Sequence, residues 1–425
     1  MGRTFGVIAP PVTGHFNPLA ALGHELQERG HRVIFLSVPD WQQKVQAEGF
    51  DFYPVGVAEY PPSTLAVTME KMSSLNGLSN LSYSIAYYKQ EAEIFLRDVP
   101  SAIDAEGIDA LIVDQTERAG GTVAEYKGKP FVTVCCALAL NQEPNIPPFI
   151  TPWNYQSSWW ARQRNRLGYF TYNRITHPIR EAVQLQRQRW GLPRQKRIDD
   201  ASSRLAQICQ QPPGFDFPRS ALPDCFHYTG PLRGRSLVPT EFPFDRLDER
   251  PLVYASLGTI QNRRVEVFQT IAAACADLPV QLVIAHGGTL SADVVNQLPG
   301  DPLVVSYAPQ IEVIRRANLV ITHGGLNTTL DALAYGVPLV VIPFVHEQPA
   351  IACRVQWTGT GEIVWSNQLT TERLRATIER VLGNPAYQTA ALRLKASCEQ
   401  AGGVTKAADI IERVITTGQP VLANR

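Results

Sequence analysis

Short apolar runs alternate with amphipathic stretches of helical period, and the alternation occurs twice along the chain. In the first half, Phe5–Ala9, His31–Leu36, Asp109–Val113 and Phe131–Cys135 have strand length, with helical Leu19–Arg29 and Gly121–Tyr126 among them. In the second half the strand-like runs are Leu252–Ala255, Val280–Ala285, Leu303–Ser306, Leu319–Thr322 and Leu339–Pro343, with helical Val265–Asp277 and Leu326–Tyr335 between them. Uniformly apolar strands separated by helices form a parallel sheet covered on both faces. Gln211–Pro251 carries prolines at 212, 213, 218, 223, 231, 239, 243 and 251 and reads as a linker. The fold expected is α/β, with two doubly wound Rossmann-like domains facing across a cleft. Its divisions are 1–212, a linker 213–250, a second domain 251–390, and C-terminal helices 391–425 packing back toward the first domain. Such sheets bind ligands beyond the carboxyl ends of their strands. The informative residues are therefore those just after strands.

His323-Gly324-Gly325-Leu326-Asn327-Thr328-Thr329-Leu330-Asp331 lies at such a point, between an apolar strand and a helix. The free N–H groups of a first helical turn and the positive end of the helix dipole suit an anion. His323 adds a donor there, and Asn327 and Thr328 add short polar arms. Asp331, one turn beyond Asn327, offers a carboxylate to a ribose diol. One strand later, Glu347-Gln348 suits sugar hydroxyls, or simply starts a helix. Tyr307, near Gln310, presents a ring that stacks on a base or packs in the core. Gly258-Thr259 ends another strand, where Gly258 permits close approach and Thr259 offers a phosphate donor. His286-Gly287-Gly288 is a weaker anion turn without the polar followers. This combination reads as a nucleotide-sugar site.

In the first half, Gly14-His15-Phe16-Asn17-Pro18 belongs to a loop spanning Pro10–Pro18 after the first strand. His15 there is either a proton acceptor or a helix cap. Asp114 also follows a strand; it either orients that imidazole, as in any His–Asp dyad, or caps a helix itself. Their closeness is inferred from sheet order.

Bulk properties exclude several classes. Formal net charge is +0, against the basic footprint of nucleic-acid binders. Seven cysteines without a C-x-x-C pair suit a reduced, cytoplasmic chain. No signal peptide and no run of membrane-spanning length is read. Neither a P-loop nor a complete Gly-x-Gly-x-x-Gly occurs, against P-loop and dehydrogenase readings. No His-Glu-x-x-His or Asp-x-Asp pair is present, so the diphosphate charge is expected to fall on helix dipole and side-chain donors, with no obligatory metal and no cofactor.

Gly14-His15, Asp114, Tyr307–Gln310 and the block His323–Gln348 resemble the family 1 UDP-glycosyltransferases of GT-B fold. Among these the bacterial zeaxanthin glucosyltransferase-like and macrolide glycosyltransferase-like enzymes are nearest in wording. The resemblance implies an acceptor-binding first domain and a nucleotide-sugar-binding second domain. It implies His15 as general base and Asp114 as its orienting partner. Tyr307 would stack on uracil, where the family usually has tryptophan. Gln310 and Asp331 would hold the ribose, where many relatives have glutamate for Asp331. His323, Gly325, Asn327, Thr328 and Thr259 would bind the diphosphate, and Glu347 and Gln348 the sugar hydroxyls. The activity implied is inverting transfer of a hexose from a UDP-sugar to a hydroxyl of a hydrophobic acceptor such as a carotenoid. A soluble macrolide or flavonoid acceptor is the alternative. A nucleotide-sugar epimerase would leave His15 and Asp114 without a task, and a non-catalytic binder would bind UDP without forming a glycoside.

Two segments bear on the acceptor. Pro61–Tyr88 is rich in Leu, Met and Tyr and either lines an apolar pocket or packs on the sheet. Residues 153–197 mix tryptophans and tyrosines with arginines, and Glu181 is the sole carboxylate between Trp153 and Asp199. This segment either meets an anionic membrane peripherally or is a solvated face whose charges pair with carboxylates elsewhere.

Overall fold

The computed structural model describes residues 2–75, 77–234, 240–259 and 261–423. Thirteen strands form two parallel sheets among these residues. The first contains β1 (Thr4–Ile8), β2 (Arg32–Ser37), β3 (Asp51–Pro54), β4 (Ala110–Asp114), β5 (Phe131–Cys135), β6 (Gln207–Cys209) and β7 (Phe226–Tyr228), in the order β3-β2-β1-β4-β5-β6-β7. The second contains β8 (Leu252–Ser256), β9 (Gln281–Ala285), β10 (Leu303–Val305), β11 (Leu319–Thr322), β12 (Leu339–Val341) and β13 (Gly361–Ile363), in the order β10-β9-β8-β11-β12-β13. Both sheets wind outward from a central pair and reverse between its members. Those reversals, β1/β4 and β8/β11, are where a doubly wound sheet opens a crevice.

The central strands are buried on both faces, which is why they read as unbroken apolar runs. Leu252 and Tyr254 of β8 point into one core cluster while Val253 and Ala255 point into the other. The Pro-rich segment is more than a connector. Phe226–Tyr228 adds the seventh strand to the first sheet, in register Gln207↔Phe226 to Cys209↔Tyr228. A three-residue strand flanked by prolines carries too little period to be seen in sequence. Residues 235–239, which include one of its prolines, lie outside the described residues. The last helix, Gly403–Thr417, returns to the first domain: Ala407, Ala408, Ile410, Ile411 and Val414 join its core.

A buried ion cluster fastens the segment to both sides. Asp216 takes Arg219 Nε at 2.6 Å and Arg354 Nη2 at 2.8 Å, and all three side chains are about fully buried. Arg219 also donates to the carbonyls of Ala139 and Asn141, and Arg354 sits on the second-domain helix Gln348–Thr358. Burial alone would raise the Asp216 carboxyl, but the two guanidiniums hold it well below the usual carboxylate range.

Candidate active site

His15 does not lie on a loop. The helix Thr13–Glu28 begins at the first turn after β1 and runs through Pro18. A proline inside a helix usually interrupts it, because it has no N–H to donate. Here proline removes only one bond, the one its N–H would have given to the carbonyl of Gly14. His15 therefore sits in the first turn, at the β1/β4 reversal, and Asp114 ends β4. Its Nδ1 lies 2.8 Å from Asp114 Oδ2. The other Asp114 oxygen accepts from the Thr116 amide at 2.8 Å and its hydroxyl at 2.5 Å. Asp114 has no exposed side-chain surface. Burial acts to raise its carboxyl, yet the charge and hydrogen bond of His15, with those from Thr116, hold it below its ordinary value. An ionised carboxylate requires a donor, so Nδ1 carries the hydrogen and Nε2 keeps a lone pair. For His15, burial pulls downward, but Asp114 and, more weakly, Glu347 outweigh it, and the net shift is upward. Glu347 belongs to the second domain, so its field reaches the imidazole across the cleft.

On the facing side, β11 leads through Gly324 (φ 84°) into the helix Leu326–Ala334, whose N-cap Gly325 supplies no side-chain cap. The first-turn N–H groups are left for an anion. The His323 ring lies between two glycine backbones. A Cβ on Gly258 would stand 2.6 Å from its Cε1, and one on Gly325 2.6 Å from its Cε1 and Nε2. Both positions must lack a side chain for the ring to fit. Loss of water drives the imidazole down to about 4, with only the Ser256 carbonyl opposing. It is neutral at pH 7 and offers one N–H. Thr259 is exposed beside Gly258, and Tyr307 is 60% exposed after β10, its hydroxyl donating to the Gly287 carbonyl at 3.3 Å. His286 is absorbed by its own turn, accepting from the Leu290 amide at 2.9 Å.

Gln310 and Asp331 meet directly, Nε2 to Oδ2 at 2.6 Å, and Gln310 Oε1 lies 3.5 Å from the Thr328 hydroxyl. The loop after β12 bends through His346 at φ 56°, a left-handed residue that Gln348 stabilises by accepting from the Phe344 and Val345 amides at 3.0 and 3.1 Å. This turn carries Glu347 to the cleft and leaves the Gln348 amide nitrogen for a ligand.

Asn327 reaches across the cleft. Its Nδ2 donates to the carbonyl of Gly14 at 2.8 Å, and its Oδ1 accepts from Gln210 Nε2 at 3.0 Å. The Gly14 carbonyl is the one that Pro18 leaves without its helical donor. The helix bearing His15 and the helix bearing the anion turn are thus joined by one amide. The sequence assigns Asn327 to the diphosphate and carries no sign of Gln210, which lies in the first domain just before the Pro-rich stretch.

Arg233 was also missed, because the Pro-rich stretch offered no pattern around it. Its Nε lies 2.6 Å from Asp331 Oδ1 while another nitrogen donates to the Leu330 carbonyl. The neighbouring Gly234 packs so closely on Ala21 that a Cβ would lie 2.9 Å from its Cα.

In the first domain Tyr88 lies near buried Glu91 and Glu117 and near Tyr172, and it is close enough to Glu347 of the second domain to be affected by it. The Tyr88 hydroxyl is pushed up by loss of water and then by Glu91, Glu347, Tyr172 and Glu117. Burial drives Glu117 up to about 8 and Glu91 well above its ordinary value. Of Pro61–Tyr88, Leu65 and Tyr87 are core residues, and Met69 and Met72 pack against that core. Those four side chains follow the packing reading.

His15, Asp114 and Cys136 bring three potential metal-ligand atoms within 4.8 Å. The donor set does not suit a metal. Burial and the Asp114 charge push the Cys136 thiol well above its ordinary value, and Asp114 already holds His15.

Residues 24–399 match the family model described as UDP-glucoronosyl and UDP-glucosyl transferase. The chain is 37% identical over 422 residues to the zeaxanthin glucosyltransferase of Pantoea ananas, covering 99% of this chain and 97% of that one. It is 36% identical to the zeaxanthin glucosyltransferase of Pseudescherichia vulneris, covering 98% and 99%. Among solved structures, that of CalG4, the calicheamicin glycosyltransferase, superposes with a TM-score of 0.77 over 99% of this chain and 100% of that one, at 23% identity. That likeness establishes the two-domain GT-B architecture.

Proposed function

The chain belongs to the UDP-glucoronosyl and UDP-glucosyl transferase family, and from that premise we propose that it moves a hexose, glucose first among candidates, from a UDP-sugar to a hydroxyl of a hydrophobic acceptor, met at a membrane surface. It is a glycosyltransferase; donor, acceptor and residue roles are the proposal. The observation that carries it is the 2.8 Å His15–Asp114 contact, with Glu347 of the facing domain close enough to act on the imidazole.

The acceptor hydroxyl attacks the anomeric carbon from the face opposite UDP. Its proton passes to His15 Nε2, the new C–O bond forms, and the bond to the diphosphate oxygen breaks. Proton removal of this kind contributes roughly 10²–10⁴-fold. Asp114 keeps the tautomer and stabilises the imidazolium. The first turn of Leu326–Ala334, with His323, Thr328 and Thr259, receives the charge of the leaving UDP. Tyr307 carries the base, Gln310 and Asp331 the ribose, and Glu347 and Gln348 the sugar hydroxyls. Displacement from an α-linked donor gives a β-glycoside. No metal is needed, because fixed dipoles and neutral donors carry the diphosphate charge.

The hydrophobic acceptor is supported by the two zeaxanthin glucosyltransferases at 36–37% identity. The test is UDP release from UDP-glucose against hydroxylated carotenoids, sterols, macrolides and flavonoids, with the product anomer assigned by NMR and EDTA in a parallel arm. A β-glucoside of a lipid-soluble alcohol, formed equally in EDTA, is expected. A glycoside only of a soluble macrolide or flavonoid would replace the acceptor assignment. UDP binding without any glycoside would overturn the reading.

A further inference from the structure

The helix Trp159–Ile175 has two unlike faces. Inward it buries Ala161, Asn165 and Tyr169, with Asn165 Nδ2 bonded to the Pro144 carbonyl at 3.0 Å. Outward it exposes Trp159 (60%), Trp160 (75%), Leu167 (66%) and Phe170 (68%). At about 100° per residue these four fall within one third of the helix circumference. Arg162, Arg166 and Arg174 are exposed among and beside them. Isolated exposed apolar residues need no explanation, but a contiguous aromatic set does.

The charges settle what covers this face. Between 153 and 197, among the described residues, the arginines with carboxylate partners are Arg187 with Glu125 and Arg197 with Asp199. Arg162, Arg166 and Arg174 have none, so these arginines do not follow the reading that they pair with carboxylates elsewhere. A second copy of the chain seated here would bring these arginines against their own images. An anionic surface complements them. Aromatic side chains with an apolar body, flanked by arginines, suit the lipid headgroup boundary.

We propose that the outer face of Trp159–Ile175 docks the protein on anionic phospholipid bilayers. The inner side of the same helix carries Tyr172, which packs edge-on against Phe149 and lies near enough to Tyr88 to act on its hydroxyl, as Glu347 of the second domain also does. A membrane-dissolved alcohol therefore has one helix to pass between bilayer and cleft. That delivery role rests on the hydrophobic-acceptor reading; the docking does not.

The test is flotation of the full chain, without donor or acceptor, on phosphatidylcholine vesicles and on vesicles with three parts in ten phosphatidylglycerol, at low and high salt. Binding to the anionic vesicles is expected, weakening with salt. Arg162→Glu with Arg166→Glu should weaken partitioning by at least about fivefold per arginine. Trp160→Ser with Phe170→Ser should weaken it by about tenfold or more. All four side chains are exposed, so folding and transfer to a detergent-dispersed acceptor should persist. Wild-type protein that stays off both vesicle types overturns the proposal. So does binding that the variants leave intact, or sedimentation showing that Trp160→Ser dissolves a dimer. Because no catalysis is measured in flotation, failure there is separate from failure of the transferase reading.

Discussion

Replacing Asn327 by alanine separates two roles for one side chain. The amide joins the domains by a 2.8 Å bond to the Gly14 carbonyl and a 3.0 Å bond from Gln210. Neutral hydrogen bonds contribute about 0.5–1.5 kcal/mol each. The loss should fall at the low end, since Gln210 retains the Cys136 carbonyl and Gly14 is exposed enough for water to replace the amide. About 1 kcal/mol is a factor of roughly five in the balance between joined and parted domains. Asn327→Ala should therefore lower kcat by up to about fivefold and enlarge the radius of gyration in solution scattering. UDP affinity by calorimetry should hold, because the first-turn N–H groups belong to the backbone. Asn327→Asp should do more damage, setting a carboxylate against a carbonyl. If either variant weakened UDP binding in proportion to kcat/KM while scattering stayed unchanged, the side chain would be serving the diphosphate and the interdomain role would be refuted.

His15→Ala should abolish transfer while UDP binding survives; loss of UDP binding would contradict the role of a base. In the wild type kcat/KM should climb as pH rises through the raised His15 value and then level off, because only the neutral imidazole accepts a proton; the stability this dyad gains from the charged histidine is complete below the unfolded value near 6.5 and fades as pH rises through the folded one. Asp216→Asn should destabilise by about 3–5 kcal/mol in denaturant melts, since two buried guanidiniums lose their counter-charge; a loss under about 1 kcal/mol would show that water already compensates them. Burial pushes Glu117 up to about 8 in the folded state, against a reference near 4.3, so the folded state holds the extra proton and stability falls with rising pH across that window. Glu117→Gln should accordingly raise Tm at pH 8 and leave it nearly unchanged at pH 4; equal gains at both would exclude the carboxyl as the cause.

The parts of the site that could be read in sequence are those where one residue type answers one physical need. Gly258 and Gly325 are glycine because the His323 ring touches both backbones, and His323, Gly324 and Gly325 sit at a strand-to-helix turn visible from apolar period alone. His15 and Asp114 could be paired from sheet order because each follows one member of the central pair. What stayed hidden depends on contacts between distant segments. Arg233 reaches Asp331 over 98 residues and Gln210 reaches Asn327 over 117, and neither carries a periodic signal. The loop expected over Pro10–Pro18 is instead largely helix, and the reason is local. Proline forbids one donor, not the helix, and the orphaned carbonyl found its partner 313 residues away.

Two imidazoles stand at the reversals of the two sheets, after opposite members of the central pairs, and their surroundings drive them apart. Each follows a strand of the pair at which the sheet reverses, and each is largely withdrawn from water. Loss of water lowers both. The difference is the Asp114 carboxylate, helped weakly by Glu347. Asp114, itself kept ionised by Thr116 and by the imidazole, reverses the effect of burial on His15. Around His323 stand two glycines, a serine carbonyl and a threonine hydroxyl, so burial prevails and the ring falls to about 4. Asp114 favours the charged form of His15, while burial keeps His323 neutral at pH 7. An imidazole whose protonation is favoured suits the attacking side, where a proton must leave. A permanently neutral donor suits the departing side, because a cation there would hold UDP as tightly before reaction as during it. The division of labour across the cleft thus follows from where one aspartate stands at the end of β4.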